Sequence, residues 1–362
     1  MKEITRVGVD LAKRVIQVQA VGESGKVVVN RSLPREKFVS WCAQLPRGCL
    51  VAFETCSGAH HWARLLREMG LDVRLIAGHF VGAYRMGGRS GKNDSADAAA
   101  ICEAASRPTM RFVPVKSAQQ QAVLSVHRLR EGLKEERTAC INRIRGLLAE
   151  FGLVFPQDPD KLRAVLHDVI EDASNALPGL ARLVINRAYS HWVELELHLD
   201  WCDQQLAEHV RHDARARAAR DLIGVGTVGA SALVASVGEF AQFKKASQFG
   251  AWLGLVPRQN SSGGKASLGS ITKRGDDYLR TLLIQGAKAA VRTSEKRSDR
   301  LSQWITQLKA RVGWQKAVVA LANKNARILW AILTRGERFD ANHLPDKPDP
   351  ARQLTPTPPC PA

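Results

Sequence analysis

Four carboxylates in the N-terminal part of this 362-residue chain are spaced so that they could do phosphodiester chemistry. Asp10 stands in "VGVDLAK", Glu54 in "AFETCSG", and Asp94 and Asp97 in "GKNDSADA". The last two are three residues apart, so on a helix they share one face. Such a pair has an ordinary use as a helix cap, where acidic side chains take the free backbone N–H groups. Its other use is as half of a metal site. Four acidic groups in one small space repel one another and drift towards protonation unless a cation joins them. A hard divalent cation with oxygen ligands relieves that cost, and Mg²⁺ keeps coordination positions for water and phosphate. Two such ions (Mg²⁺ or Mn²⁺) roughly 4 Å apart activate a nucleophile and stabilise a leaving oxygen.

The surrounding sequence supplies elements that could gather these groups. "RVGVDLAK", "VIQVQAVG" and "GKVVVNRSL" are short β-rich runs with turn residues between them. "PREKFVSWCAQL" has helical spacing with Pro34 suited to a first turn, and "CLVAFET" reads as a buried strand. "GAHHWARLLREMG" is an amphipathic helix closed by Gly70, and "LDVRLIA" is another strand. With a helix after Asp94 the order is β-β-β-α-β-α-β-α, an α/β domain with a mixed sheet and helices on its faces. Asp10 closes the first strand and Glu54 the fourth. The first strand of a meander is free to pair with a later one, which would set the two side by side under Asp94 and Asp97.

Residues 117–151 read as a basic helix with an apolar stripe of Leu124, Leu129, Leu133, Ile141, Ile144 and Leu148. A second helical stretch runs over roughly 160–219 and carries Leu195, Leu199 and Leu206. Long striped helices of this kind pack on each other, as in a coiled coil, or on another subunit. "DLIGVGTVGASALVASVG" reads either as a helix-hairpin-helix offering N–H groups to a phosphate or as a tight apolar turn between helices. From Arg258 to Arg297 there are nine Lys/Arg against three Asp/Glu, a local excess of positive charge around a loop and a helix. The proline-rich end is expected to be disordered. The expected organisation is therefore 1–115 catalytic, 116–219 helical and for assembly, 220–340 mainly α-helical, and 341–362 tail.

With 53 Lys+Arg against 35 Asp+Glu, the net charge of +18 favours a polyanionic partner, above all nucleic acid. No run of apolar residues reaches the length of a membrane span, and "MKEITRVGVDLAKR" does not read as a signal peptide. Seven cysteines with no CxxC pair and no zinc spacing read as reduced thiols. A bacterial cytoplasmic, nucleoid-associated protein with no membrane partner is the expectation.

"VGVDLAK", "AFETCSG" and "GKNDSADA", in this order and spacing, resemble the DEDD signature of the insertion-sequence transposases of the 110 family and the related Piv-type DNA invertases. "SVHRLREGLKEERTACINRIRGLLAEFG" is most similar to the 1111 subgroup, and "GLVPRQNSSGGKASLGSITKRGDDYLR" resembles the family's C-terminal transposase domain. The resemblance implies a RuvC-like, ribonuclease H-type N-terminal domain with Asp10, Glu54, Asp94 and Asp97 as catalytic metal ligands. It also implies a serine nucleophile in "NSSGG", either Ser262 or, as the alternative, Ser261; without the family these serines read as a flexible loop. Lys265, Lys273, Arg274 and Arg280, with Arg258 and Lys92, would then neutralise phosphates. Arg89 is a further cation just before the acidic pair. The family further implies a structured non-coding (bridge) RNA that pairs with element ends and target DNA, so that base pairing supplies sequence choice. It implies a homo-oligomer, a dimer or a tetramer. Two other readings compete: a metal-dependent nuclease or Holliday-junction resolvase that uses water and needs no serine, and a non-catalytic nucleic-acid-binding protein.

Overall fold

β1 (Ile4–Leu11), β2 (Val15–Gly22) and β3 (Val27–Pro34) form an antiparallel meander. The computed structural model describes residues 1, 3–85, 93–260 and 267–343. After a 3₁₀ turn and α1 (Phe38–Cys42), the chain enters β4 (Leu50–Glu54), which pairs parallel to β1. α2 (Ala59–Glu68) leads to β5 (Asp72–Ile76), parallel to β4. α3 (Gly78–Val81) and a 3₁₀ turn over Gly82–Tyr84 follow, then α4 (Asp94–Ala104) and β6 (Phe112–Val113), which pairs antiparallel with β5. The sheet order is β3-β2-β1-β4-β5-β6. The mixed sheet and its helices match the sequence expectation. β6, a two-residue strand with no pattern of its own, and the one-turn α3 are additions to it.

Side chains alternate across a strand, and here the alternation separates two cores. Val7, Val9, Val51, Phe53, Val73 and Leu75 face one way and pack with Phe38 and Trp41 of α1 and Trp62 and Leu66 of α2. On the other face Ala52 and Ile76 meet Val81 of α3 and Ala100, Ile101 and Ala104 of α4. The second face is thin because its residues are small. Gly8 of β1 lies directly under α4: a Cβ there would overlap Ala98 O and Cys102 N and stand 2.7 Å from Cys102 Cβ. Glycine in "VGVD" and alanine in "SADAAAICEA" are thus two halves of one close approach.

The rest of the chain is helical apart from one hairpin. α5 (Ala118–Ala149), α6 (Pro159–Glu171), α7 (Gly179–His212), α8 (Ala214–Arg220) and α9 (Thr227–Val237) come first. α10 (Ala246–Trp252), the antiparallel pair β7 (Pro257–Gln259) and β8 (Leu268–Ile271), α11 (Asp277–Thr293), α12 (Arg300–Val312) and α13 (Trp314–Arg335) complete it. The chain divides into two compact units, one of Met1–Gly132 with Ala235–Glu239 and one of Leu133–Val234 with the chain from Phe240 on.

One expectation for the helical region is corrected below, that for Leu129. The helical stretch over 160–219 consists of three helices. Pro178 stands at the N-cap of α7 and Asp213 caps α8 by accepting from the N–H groups of Arg215 and Ala216. In α5, Leu129 is half exposed while His127 is buried, because two helical residues point about 200° apart. Leu133, Ile141, Ile144 and Leu148 are buried as expected. The glycine segment before α9 is a tight turn: Gly224 has φ +85°, and a Cβ on it would stand 2.9 Å from Gly286 O of α11. Among the described residues no helix is long and apolar enough to cross a membrane, and Cys42, Cys49, Cys56, Cys102, Cys140 and Cys202 are free thiols.

Candidate active site

Asp10 and Glu54 reach the same face of the sheet through register. Gly8 pairs with Ala52 and Val9 with Phe53, so the next pair along the two parallel strands is Asp10 beside Glu54. Adjacent strands lie about 4.8 Å apart. Both side chains follow Gly8 and Ala52 by two residues and therefore face α4. The carboxylate of Glu54 lies against the backbone of Gly78, where a Cβ would overlap Oε1 and stand 3.0 Å from Cδ.

α4 brings the other two. Its N-cap is Asn93, whose Oδ1 accepts from Ala96 N at 2.7 Å. This corrects the capping alternative, because Asn93 takes the backbone N–H and leaves Asp94 and Asp97, both in the first helical turn, free for other work. Acidic groups there are also favoured by the helix dipole. Asp97 is buried and Asp94 exposed. A polar ladder pins this end of α4 to the meander. Asn30 Nδ2 donates to Ser95 Oγ (2.9 Å), Gln17 Nε2 donates to Asn30 Oδ1 (2.7 Å), and Ser32 Oγ donates to Gln17 Oε1 (2.6 Å).

The four carboxylates feel one another. The Asp10 carboxyl is pushed above the usual carboxylate range, first by burial, then by the negative charges of Asp97, Asp94 and Glu54, with Arg85 opposing. Arg85 was not anticipated. It follows the 3₁₀ turn after α3, pairs through Nε with Asp97 Oδ1, and holds Nη2 3.8 Å from Glu54 Oε2. Arg85 Nε and Asp97 Oδ1 are both buried, yet neither has an aligned hydrogen bond. Among the described residues no three His, Cys, Asp or Glu side chains close on one ligation point. The donors nevertheless fit a hard divalent cation: all are carboxylate oxygens on one face, and Asp97 Oδ1 is a buried acceptor held by the charge of Arg85 without an aligned hydrogen bond.

The other expected residues fare unevenly. Ser262, its alternative Ser261, Lys265, Arg89 and Lys92 lie outside the described residues. Segment 261–266 joins β7 to β8 in the chain, and the flanking Asn260 N donates to Ser267 O (2.9 Å). Arg258 on β7, Lys273 and Arg274 are exposed, as a phosphate contact requires. Lys273 has φ +54°, held by its N–H donating to Gly254 O at 3.1 Å. Arg280 is corrected: it is buried, donates from Nη1 to Leu253 O (3.1 Å) and pairs with Asp277, so its charge is spent inside the fold. Its position one turn into α11, three residues after Asp277, was the available signal. For Gly8 and Gly78 the signal was a glycine two residues before a strand-end carboxylate and one directly after a strand. Arg85 had none, since its partners are distant in sequence.

Comparison with known proteins gives a consistent result. A DEDD-type IS110 transposase family model matches residues 7–153, and the Transposase IS116/IS110/IS902 family model matches residues 216–303. A probable family 20 transposase of Pseudomonas aeruginosa is 48% identical over 92% of this chain and 97% of its own length. The transposase for insertion sequence element IS1111A of Coxiella burnetii is 40% identical, covering 94% of this chain and 92% of the relative. The transposase for IS1328 of Yersinia enterocolitica is 35% identical over 94% and 99%.

Proposed function

Because the chain belongs to the IS116/IS110/IS902 family of insertion-sequence transposases, enzymes that cut DNA and transfer strands, we propose that Asp10, Glu54, Asp94 and Asp97 form its catalytic metal site and that Ser262 is its nucleophile. The observation that carries the first part is the β1–β4 register, which sets Asp10 beside Glu54 on the face that α4 covers. The arrangement supports a ribonuclease H-type, RuvC-like catalytic domain. When bound, Mg²⁺ or Mn²⁺ would help activate the attacking oxygen and stabilise the leaving one. Asp10 and Glu54, on rigid strands, fix one side of that site, and Asp97, buried at the base of α4, fixes the other. In the serine step the Ser262 hydroxyl oxygen attacks phosphorus and gives up its proton. The bond to the deoxyribose oxygen breaks, and that oxygen takes up a proton as the seryl–DNA ester forms. Exposed Arg258, Lys273 and Arg274 neutralise phosphates near the serine, with Lys265 in the same role, while Lys92 meets the phosphate at the carboxylate site.

The +18 charge and the 6% aromatic content suit a protein that grips nucleic-acid backbones while a structured non-coding RNA supplies sequence choice. The test combines the full-length protein, RNA transcribed from the element's flank, Mg²⁺, and supercoiled donor and target plasmids. Recombinant junctions are expected, and both Asp10→Ala and Ser262→Ala abolish them. Strand exchange that survives Ser262→Ala would shift the mechanism to water, as in a nuclease or junction resolvase.

A homo-oligomer is part of the same reading, and α7 supports it. Leu180, Leu183, Val184, Leu197 and Trp201 are exposed on one face of this helix, with Arg187 and Glu194 between them. A second copy laid antiparallel, its twofold axis between Ser190 and His191, sets Leu180 against the partner's Trp201 and Val184 against the partner's Leu197. The same placement sets Arg187 against the partner's Glu194, an isologous match of apolar and charged groups.

A further inference from the structure

We propose that Arg85 is a positioning residue for the carboxylate site: it holds Glu54 and Asp97 together in the metal-free protein and has to be displaced before a divalent cation can bind there. The inference rests on the metal-site reading above and adds a residue to which that reading gives no role.

Arg85 is anchored where it can act. It ends the short segment that leaves β5, in which Val81 is fully buried against Ile101 and Ala104 of α4, and Tyr84 packs on the same cluster. Its N–H donates to Gly82 O (3.5 Å), so the backbone is fixed from one side. The side chain is about three-quarters buried and runs between Glu54 at the end of β4 and Asp97 on α4. One guanidinium therefore bridges the two elements that supply the site, the sheet and the helix. An arginine can do this because its donors are spread over a planar fork, whereas an ammonium is a point charge.

The contact is of the kind a metal ion would replace. Asp97 Oδ1 and Arg85 Nε touch as an ion pair without an aligned hydrogen bond, and both atoms are buried. The acceptor is held by the charge of one guanidinium, a place that another cation could take. A divalent ion on Asp97 Oδ1 would sit a few ångströms from the guanidinium, and two cations at that range repel strongly in a half-buried site. Loading with metal is then an exchange of one cation for another, and the affinity measured is the difference between them.

The test titrates Mn²⁺ alone into the full-length protein by calorimetry and follows thermal unfolding without metal, for wild type, Arg85→Gln, Arg85→Lys and Asp97→Asn. Arg85→Gln is expected to bind Mn²⁺ about tenfold more tightly and to unfold at a lower temperature without metal, since repulsion between carboxylates is no longer offset. Arg85→Lys keeps the charge but cannot span both partners. It should retain most of the metal-free stability and gain less affinity, on the order of threefold. Unchanged or weaker Mn²⁺ binding in both Arg85 variants overturns the proposal, and weaker binding would make Arg85 a supporter of the metal site instead. Should wild type and Asp97→Asn give the same titration, the carboxylate metal site itself fails, a result distinct from any effect at Arg85.

Discussion

Gly78→Ala is expected to disable the site while leaving the fold intact. Gly78 opens α3, and its φ is not in the left-handed region, so alanine is tolerated by the backbone and gains up to about 1 kcal/mol of helix propensity. The cost falls on Glu54. A Cβ at position 78 would overlap Oε1 and stand 3.0 Å from Cδ and 3.6 Å from Cγ. Carbon contacts settle near 3.5–4.0 Å, so the carboxyl carbon has to retreat by about half an ångström and Oε1 by about 1 Å. The group can do so by rotating, since it is the far end of a flexible side chain, and stability should therefore change by no more than about 1 kcal/mol. Catalysis is less forgiving, because a displacement of about 1 Å in a positioned group costs on the order of a hundredfold in rate. The assay pairs thermal unfolding with strand exchange on supercoiled plasmids, for Gly78→Ala and Glu54→Gln. If Gly78→Ala exchanges strands within about threefold of wild type while Glu54→Gln is inactive, the placement of Glu54 against Gly78 is refuted.

Three more outcomes follow from the geometry. The Asp10 carboxyl is raised by burial and by its acidic neighbours, so the folded state holds that proton more tightly than the unfolded chain. Metal-free stability therefore falls as pH rises from the unfolded value near 3.8 through the raised folded one. Asp10→Asn should be more stable than wild type at neutral pH without metal, no different at pH about 3, and inactive; urea titrations at the two pH values check this. His60 behaves in the opposite sense. Burial, then Lys116, Arg64 and Arg128, depress its pKa from 6.5 to about 4, while its Nδ1 accepts from Lys116 N at 3.1 Å. Its unfolded form takes up the proton first, so stability is complete above pH 6.5 and is lost as pH falls towards 4. The loss, discounted for partial exposure, is on the order of 1–2 kcal/mol, and His60→Gln should flatten the pH dependence of urea unfolding in that window. For α7, Arg187→Glu or Glu194→Arg alone should weaken self-association in analytical ultracentrifugation and the double exchange should restore it. A double variant no better than either single one would rule out the antiparallel pairing.

Much of the N-terminal unit was legible because strong local patterns carried it. β1, β2, β4 and β5 announce themselves by β-rich runs between turns, and the pairing of β1 with β4 follows once three strands are read as a meander. α4 was legible as a helix, but not which residue caps it. "KNDSAD" offers several side chains able to cap, and only the extended backbone of Asn93 decides among them. Arg85 was out of reach, since an isolated arginine after a short helix carries no mark of partners on β4 and α4. Arg280 was misread because net charge over a segment says nothing about which cations are neutralised inside it.

The contact between Gly8 and α4 has a consequence for how this enzyme can change. Two of the four carboxylates ride on the strands and two on the helix, and only the absence of one methyl group lets the helix come down to the sheet. Position 8 is therefore closed to any side chain for a reason separate from chemistry, because the backbone of α4 at Ala98 and Cys102 lies directly above it. A variant seeking new DNA targets has no freedom in this seam. Diversification has to come from surfaces that can change without lifting α4, so that the four carboxylates keep their places while the rest of the molecule varies.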